Sequence, residues 1–203
     1  MNAQSNPGPV DFDLSRGRVD RRADAETKVG HDDQVVLVPV TALAGLEKIA
    51  GAAVTAQLAR SIGVSFGSRV AAKIGSAEAV AKASLEVFVS ALAGEVAVSG
   101  WGVLHLERWG RAMVLVVDHA PALPYGMLAA LLEGAVSAAA AREVHAVALA
   151  KGTGDASEAR AARVLIVSAR TAEHARRWLL DGASEAEVIR RLHDDVPRTG
   201  GTA

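Results

Sequence analysis

The amino-acid sequence predicts an α+β fold: a four-stranded antiparallel sheet covered by helices. Two strand-like runs, "GVLHLERW" and "AMVLVVD", flank a glycine-containing turn and predict a hairpin. An Ala-rich helical run follows, and then come two further strand-like runs, "VHAVALA" and "ARVLIVSA". Two strands, a helix and two strands close one sheet more naturally than they begin a second domain.

Length and composition favour one domain with a tail. The chain has 203 residues, of which 50% are hydrophobic and only 3% aromatic, so the core must consist mainly of Ala, Val and Leu. A formal net charge of -1 offers no basic excess for binding nucleic acid. The absence of cysteine excludes disulfides, thiolate metal sites and a cysteine nucleophile.

The N-terminal residues differ in character from the rest. Residues 1–33 mix both charge signs with Pro, Gly and Asn, and we predict a flexible N-terminal tail. This segment lacks the order of a secretory signal, and the longest apolar run, "GMLAALLEGAVSAAAA", carries Glu133 and is too short to cross a bilayer. We therefore predict a cytoplasmic protein with no membrane span.

The folded domain is predicted over residues 34–170. It begins with "QVVLVPV", which indicates an edge or lead-in strand ended by Pro39. The next run, "TALAGLEKIAGAAVTAQLARSIGVSFGSRVAAKIG", is helical and is either one closely packed helix or two helices joined near Ser61 to Ser65. "SAEAVAKASLEVFVSALAG" predicts a helix that Ser76 caps and that ends at Gly94.

The last part of the chain, residues 171–203, is predicted as a C-terminal helical extension. Thr171 can cap a helix through "AEHARRWLLD", and Gly182 ends it. Ser184 and Glu187 have the spacing of a capping box before the final helix.

No residue pattern typical of an enzyme is present. The six histidines are scattered and show neither H-x-x-x-H nor HExxH spacing, so we predict no metal site. A P-loop, a dinucleotide fingerprint and a G-x-S-x-G elbow are also absent, and we predict no cofactor and no catalytic residue. An acid/base pair of Asp118 and His119 is the weakest interpretation.

Four residues are candidates for an interface between chains. Gly63 and Gly67 form a GxxxG motif, which indicates either a close helix crossing in a dimer or a turn with a crossing inside the domain. Trp109, at the hairpin tip, is expected to be partly exposed. Trp178 lies on an Arg-rich helix and either packs on the sheet or binds a partner. We predict a homodimer.

Three features together resemble a known family. They are the glycine-punctuated run "LARSIGVSFGSRVAAKIG", the hairpin "SGWGVLHLERWGRAMVLVVDHAP" with its Gly-Trp-Gly element, and the later Ala/Gly helix with two strands. Residues from about 35 to 169 resemble the 4-vinyl-reductase-type (hydrocarbon-binding) domain, which is similar in fold to TRAPP trafficking-complex subunits and grouped with haem nitric-oxide-binding domains. Many members carry cysteines around the last two strands, whereas this chain has none.

The resemblance implies a non-enzymatic module that holds a small apolar molecule between helices and sheet. The candidate wall residues are Phe66, Phe88, Trp101 and Met127, each of which is equally suited to a core. The alternative is a protein–protein adaptor or scaffold of the same fold, in which the tail and the C-terminal helices recruit partners.

Overall fold

The computed structural model describes residues 10–13, 18–21, 38–110, 112–149 and 161–194. Its strands are β1 (Val10–Asp13), β2 (Arg18–Arg21), β3 (Val103–Trp109), β4 (Ala112–Asp118), β5 (His145–Ala148) and β6 (Ala162–Val167). Its helices are α1 (Val40–Ala50), α2 (Ala52–Ile74), α3 (Ala77–Lys82), α4 (Leu85–Val98), α5 (Tyr125–Ala140), α6 (Ala169–Leu180) and α7 (Glu185–Asp194).

The predicted four-stranded antiparallel sheet is confirmed. Its strand order is β3-β4-β6-β5, and each neighbouring pair is antiparallel. The predicted hairpin joins β3 to β4 with Trp109 opposite Ala112, and Gly110 adopts a φ of 63° at the turn. Strand β5 lies at one edge of this sheet, which matters for the site described below.

Helices cover both faces of the sheet. Along β4, Leu115 and Val117 face a core formed mainly with α2, α4 and α5, whereas Val114 and Val116 face α6 and α7. The continuous apolar run of β4 is explained by this double cover, because side chains alternate between the faces of a strand.

The first long helical run is interrupted at a different glycine from the one expected. Gly51, with a φ of 84°, separates α1 from α2, and α2 continues unbroken through Ser61 to Ser65. Of the two alternatives for this run, the join near these serines is wrong, and the residues around them lie in one helix. Positive φ is accessible to glycine without a steric penalty, so the chain turns between the two helices at Gly51.

Helices α2 and α5 cross unusually closely. A Cβ on Gly63 would collide with the carbonyl oxygen of Leu131, and one on Gly67 would collide with that of Ala135. From the other side, a Cβ on Gly134 would collide with the carbonyl oxygen of Arg60. Of the two alternatives for the GxxxG motif, the structure shows a crossing within the chain, and both of its glycines are buried there.

Two serines divide the next helical run. Ser76 accepts a hydrogen bond from the Ala79 N–H at 3.1 Å, as predicted, but α3 ends at Lys82. Ser84 then caps α4, and the helix continues past Gly94 to Val98. The predicted helix end at Gly94 is wrong, since this glycine lies inside the helix.

Segments at both ends of the chain also differ from expectation or lie beyond the described residues. Most of the predicted tail over 1–33 and most of the predicted strand before Pro39 fall outside those residues. Val38 is not in a strand, and β1 and β2 form a separate antiparallel pair. Helix α6 begins at Ala169 after Ser168, so Thr171 does not cap it, whereas the Ser184 hydroxyl accepts the Glu187 N–H at 3.3 Å.

Candidate functional site

A groove of about 440 Å³ runs along the outer edge of β5, between α2, α5 and α6. Its volume lies within the range of roughly 300–1,000 Å³ that is usual for small-molecule sites. Most of the residues that line it are small or aliphatic: Ala56, Arg60, Gly126, Ala129, Ala130, Glu133, Ala146, Val147, Ala148, Arg176, Leu179 and Leu180.

The groove exists because the side chains that line it from α5 and β5 are short. Ala129 and Ala130 of α5 and Ala146 and Ala148 of β5 carry only a methyl group each, so the helix and the strand leave space between them. Leu180, at the end of α6, is 78% exposed at the margin of this space. The walls therefore present apolar surface to an occupant.

Glu133 is the one buried charged residue that the described part of the chain contains. One of its carboxylate oxygens accepts hydrogen bonds from Arg60, from Nε at 3.0 Å and from Nη2 at 2.7 Å. Its other oxygen accepts the backbone N–H of Ala146 at 2.9 Å. A buried carboxylate needs such partners, and here both of its oxygens have them.

Arg176 approaches the same point from α6. Its Nη2 donates to the carbonyl oxygen of Ala146 at 3.2 Å and lies 3.9 Å from the second oxygen of Glu133. The side chains of Arg60 and Arg176 are each 49% exposed, whereas that of Glu133 is 10% exposed. Two guanidinium groups thus surround one carboxylate, which leaves this end of the groove with one positive charge in excess.

The side chains of Glu133 and Arg176 also cover the outer edge of β5. Leu149 donates to the carbonyl oxygen of Arg163 on β6, so the alternating ladder directs the N–H and C=O of Ala146 away from β6. The Glu133 carboxylate accepts a hydrogen bond from that N–H, and the Arg176 guanidinium donates one to that C=O. An unpaired edge is a site for strand addition, and side chains block it at this position.

None of the four predicted wall residues lines the groove. Phe66, Phe88, Trp101 and Met127 are 3 to 8% exposed and belong to the core between the sheet and helices α2, α4 and α5. Trp101 stands where α4 gives way to β3, between Gly100 and Gly102, whose φ angles are 76° and 112°. All four side chains therefore pack within this core.

Both remaining tryptophans are half-buried against the apolar cluster between the sheet and helices α6 and α7, which includes Val114 and Val116. The Trp109 indole N–H donates to Glu107 at 2.9 Å, and the Arg163 guanidinium lies 5.8 Å from its ring centre. The Trp178 ring lies 5.9 Å from that of His174, and Arg191 lies 5.8 Å from it. Each ring is thus held by contacts within the chain.

The acidic and histidine side chains do not form a metal site in the described part of the chain, where no suitable group of three occurs. Asp118 lies 3.3 Å from Nδ1 of His105, across the hairpin, and this contact is an ion pair when the histidine is protonated. His119, the partner expected for Asp118, instead adopts a φ of 54° and is exposed.

Sequence reasoning missed the three charged residues of the groove. In the sequence, Glu133 is a single charge within an apolar run, and a lone carboxylate on a helix buried on nearly all sides requires a cationic or N–H partner. That requirement is the signal that could have pointed to the site. Nothing local to Arg60 or Arg176 distinguishes them from other surface arginines.

Comparison with known proteins adds no assignment. No protein-family model matches the chain, and no curated protein matches it. Among the helices described, none has both the length and the apolar character needed to cross a membrane.

Proposed function

We propose that this protein is a non-enzymatic binding module that holds a small, mainly apolar molecule in the groove beside β5. The observation that carries the proposal is the groove itself, with apolar walls built from alanines and the Leu179–Leu180 pair. Glu133 has its hydrogen-bonding capacity engaged by Arg60 and Ala146, which favours binding over acid/base chemistry. The resemblance to 4-vinyl-reductase-type domains agrees with such a role.

A groove-filling variant tests this proposal. Gly126 lines the groove, and a Cβ placed on it meets no atom within 4 Å, so Gly126→Leu adds volume without a collision at its Cβ. Gly94→Leu on α4 is the matched control, because a Cβ there also meets nothing within 4 Å and Gly94 does not line the groove.

The readout is fluorescence of the neutral probe N-phenyl-1-naphthylamine, titrated with each protein. We expect the wild type and Gly94→Leu to bind the probe equally, and Gly126→Leu to bind it about tenfold more weakly, a loss of about 1.4 kcal/mol. Equal probe binding by all three proteins, or none by the wild type, would refute the groove as a ligand site.

Self-association is a second candidate property, and a different surface favours it; the adaptor or scaffold alternative, with partners recruited by the tail and the C-terminal helices, stays a prediction. Helix α1 contains no buried residue, and Ile49 at its end is 87% exposed. Val54 and Leu58, in the first two turns of α2, are 51% and 37% exposed. We propose a second copy of the chain as the partner of this face, in keeping with the homodimer expected from the sequence.

Light scattering after gel filtration tests this second candidate over a range of protein concentrations. We expect a dimer that Ile49→Lys converts to a monomer, since a charge cannot be buried there without a partner. Val87→Lys, on α4 and 52% exposed, is the control and should leave the dimer intact. A wild-type monomer at every concentration would exclude self-association through this face.

A further inference from the structure

We infer that the molecule held in the groove is an amphiphile with a single negative charge, a monocarboxylate, whose head group binds Arg60 and Arg176. This inference rests on the proposed function and names the class of its ligand. The apolar body would lie against the alanines of α5 and β5 and against Leu179 and Leu180, which line the same groove.

The charge balance of the groove supports a monoanion. Arg60 and Arg176 contribute two positive charges, and Glu133 contributes one negative charge. No other ionisable residue lines the groove in the described part of the chain. One carboxylate therefore neutralises the excess, whereas a dianionic head would reverse its sign.

The hydrogen-bond donors of the two arginines point to the same head group. A guanidinium has five N–H groups. Arg60 uses Nε and Nη2 for Glu133, and Arg176 uses Nη2 for Ala146. Among the described residues, no acceptor is found for Nη1 of either arginine. These planar donors match a carboxylate, which accepts two parallel N–H bonds.

The arginines are also held in position before a ligand arrives. Glu133 anchors Arg60 through two hydrogen bonds, and the Ala146 carbonyl anchors Arg176 through one. Ordering a long side chain on binding costs about 0.5–1.5 kcal/mol, and much of that cost is already met in the folded chain. Their half-exposed side chains remain accessible at the groove.

Three probes with the same alkyl chain separate the charge from the apolar body: decanoate, decanol and decylamine. Their affinities are measured by isothermal titration calorimetry at neutral pH, below the concentrations at which they form micelles. A hydrogen bond to a charged group contributes about 1.5–3 kcal/mol, so we expect decanoate to bind at least about tenfold more tightly than decanol. Decylamine should bind most weakly.

Arg176→Gln tests the assignment of the head-group site, because it leaves both Arg60 bonds to Glu133 in place. We expect it to weaken decanoate binding about tenfold and to leave decanol binding unchanged. Arg170→Gln, in the first turn of the same helix, removes the same charge away from the groove and should change neither affinity. Thermal unfolding establishes whether both variants are folded. If Arg176→Gln is unfolded, the wild-type series of three probes alone decides the inference.

The outcomes separate the inference from the proposed function. Equal affinities for decanol and decanoate would overturn the inference while leaving an apolar ligand site intact. Binding of none of the three probes would overturn both. Equal losses of decanoate affinity in Arg176→Gln and Arg170→Gln would also overturn the inference, since they would show an effect of overall charge.

Discussion

Replacing Gly63 by alanine should separate the two central helices of the protein. Gly63 lies inside α2 and faces α5, where a Cβ would collide with the backbone carbonyl oxygen of Leu131. It would also approach the Ala135 backbone nitrogen to 3.0 Å. These are backbone atoms, so the collision can be relieved only by moving one helix relative to the other.

Two opposing terms set the size of the effect. Alanine is favoured over glycine in a helix by about 1 kcal/mol. Overpacking of a core costs about 1–3 kcal/mol, and the rigid backbone of α5 places this site at or above the upper end of that range. We therefore expect Gly63→Ala to lower the free energy of unfolding by about 2 kcal/mol. For a chain of this size, that loss lowers Tm by about 4–8 °C.

Urea unfolding followed by far-ultraviolet circular dichroism measures this loss. The control is Gly94→Ala, which also lies inside a helix but whose Cβ would meet no atom within 4 Å. There only helix propensity acts, and the free energy of unfolding should rise by about 0.5–1 kcal/mol. Wild-type stability in Gly63→Ala, or a change of the same sign in both variants, would refute the close crossing.

Three further variants test separate parts of the structure. Glu133→Gln weakens the charge-assisted bonds from Arg60 and should lower the free energy of unfolding by about 2 kcal/mol, seen in thermal melts. Trp101→Ala, which empties part of the core, should cost at least about 3 kcal/mol in urea unfolding. Ser84→Ala should cost about 1 kcal/mol as the α4 cap is lost, and should raise the pKa of Glu86 in an NMR titration. The pKa of Glu86 lies below its ordinary value because its carboxylate accepts a hydrogen bond from the Glu86 backbone N–H and, second, from the Ser84 hydroxyl. The charged carboxylate therefore stabilises the fold at pH values above the pKa of the unfolded state. This stabilisation is lost as the pH falls through the pKa of the folded state.

The sheet could be predicted from the sequence because its signals are local. The run "AMVLVVD" has no polar residue before its last position. The structure explains this, because Val114 packs in the core on one face of the sheet and Leu115 in the core on the other. Gly110 follows Trp109 where the hairpin turns, and its φ of 63° suits a glycine. Strand pattern and turn residue thus indicated the same hairpin.

The helix boundaries were harder to predict because the glycines look alike in sequence. Gly51 ends α1, whereas Gly63 and Gly94 lie inside helices. A residue without a Cβ is required at position 63 because α5 passes close to it. That contact connects residues far apart in the chain. No local pattern distinguishes a glycine that ends a helix from one that permits a crossing.

The groove could not be predicted for a similar reason. Arg60 and Glu133 are 73 residues apart, and Arg176 and Ala146 are 30 residues apart. The aromatic residues predicted as ligand walls, such as Phe66 and Trp101, are large side chains buried in an alanine-rich core. Space for a ligand remains where the lining side chains are smallest, so large apolar residues do not mark its position in the sequence.

The charged end of the groove depends on the close crossing of α2 and α5. Gly134 follows Glu133 directly, and its missing Cβ leaves room for the backbone carbonyl of Arg60. The approach that brings these backbones together also brings the Arg60 guanidinium to 2.7 Å from the Glu133 carboxylate. A wider crossing would leave that buried carboxylate without its main cationic partner, which is strongly destabilising. The small residues between α2 and α5 are therefore a requirement of the site as well as of the core.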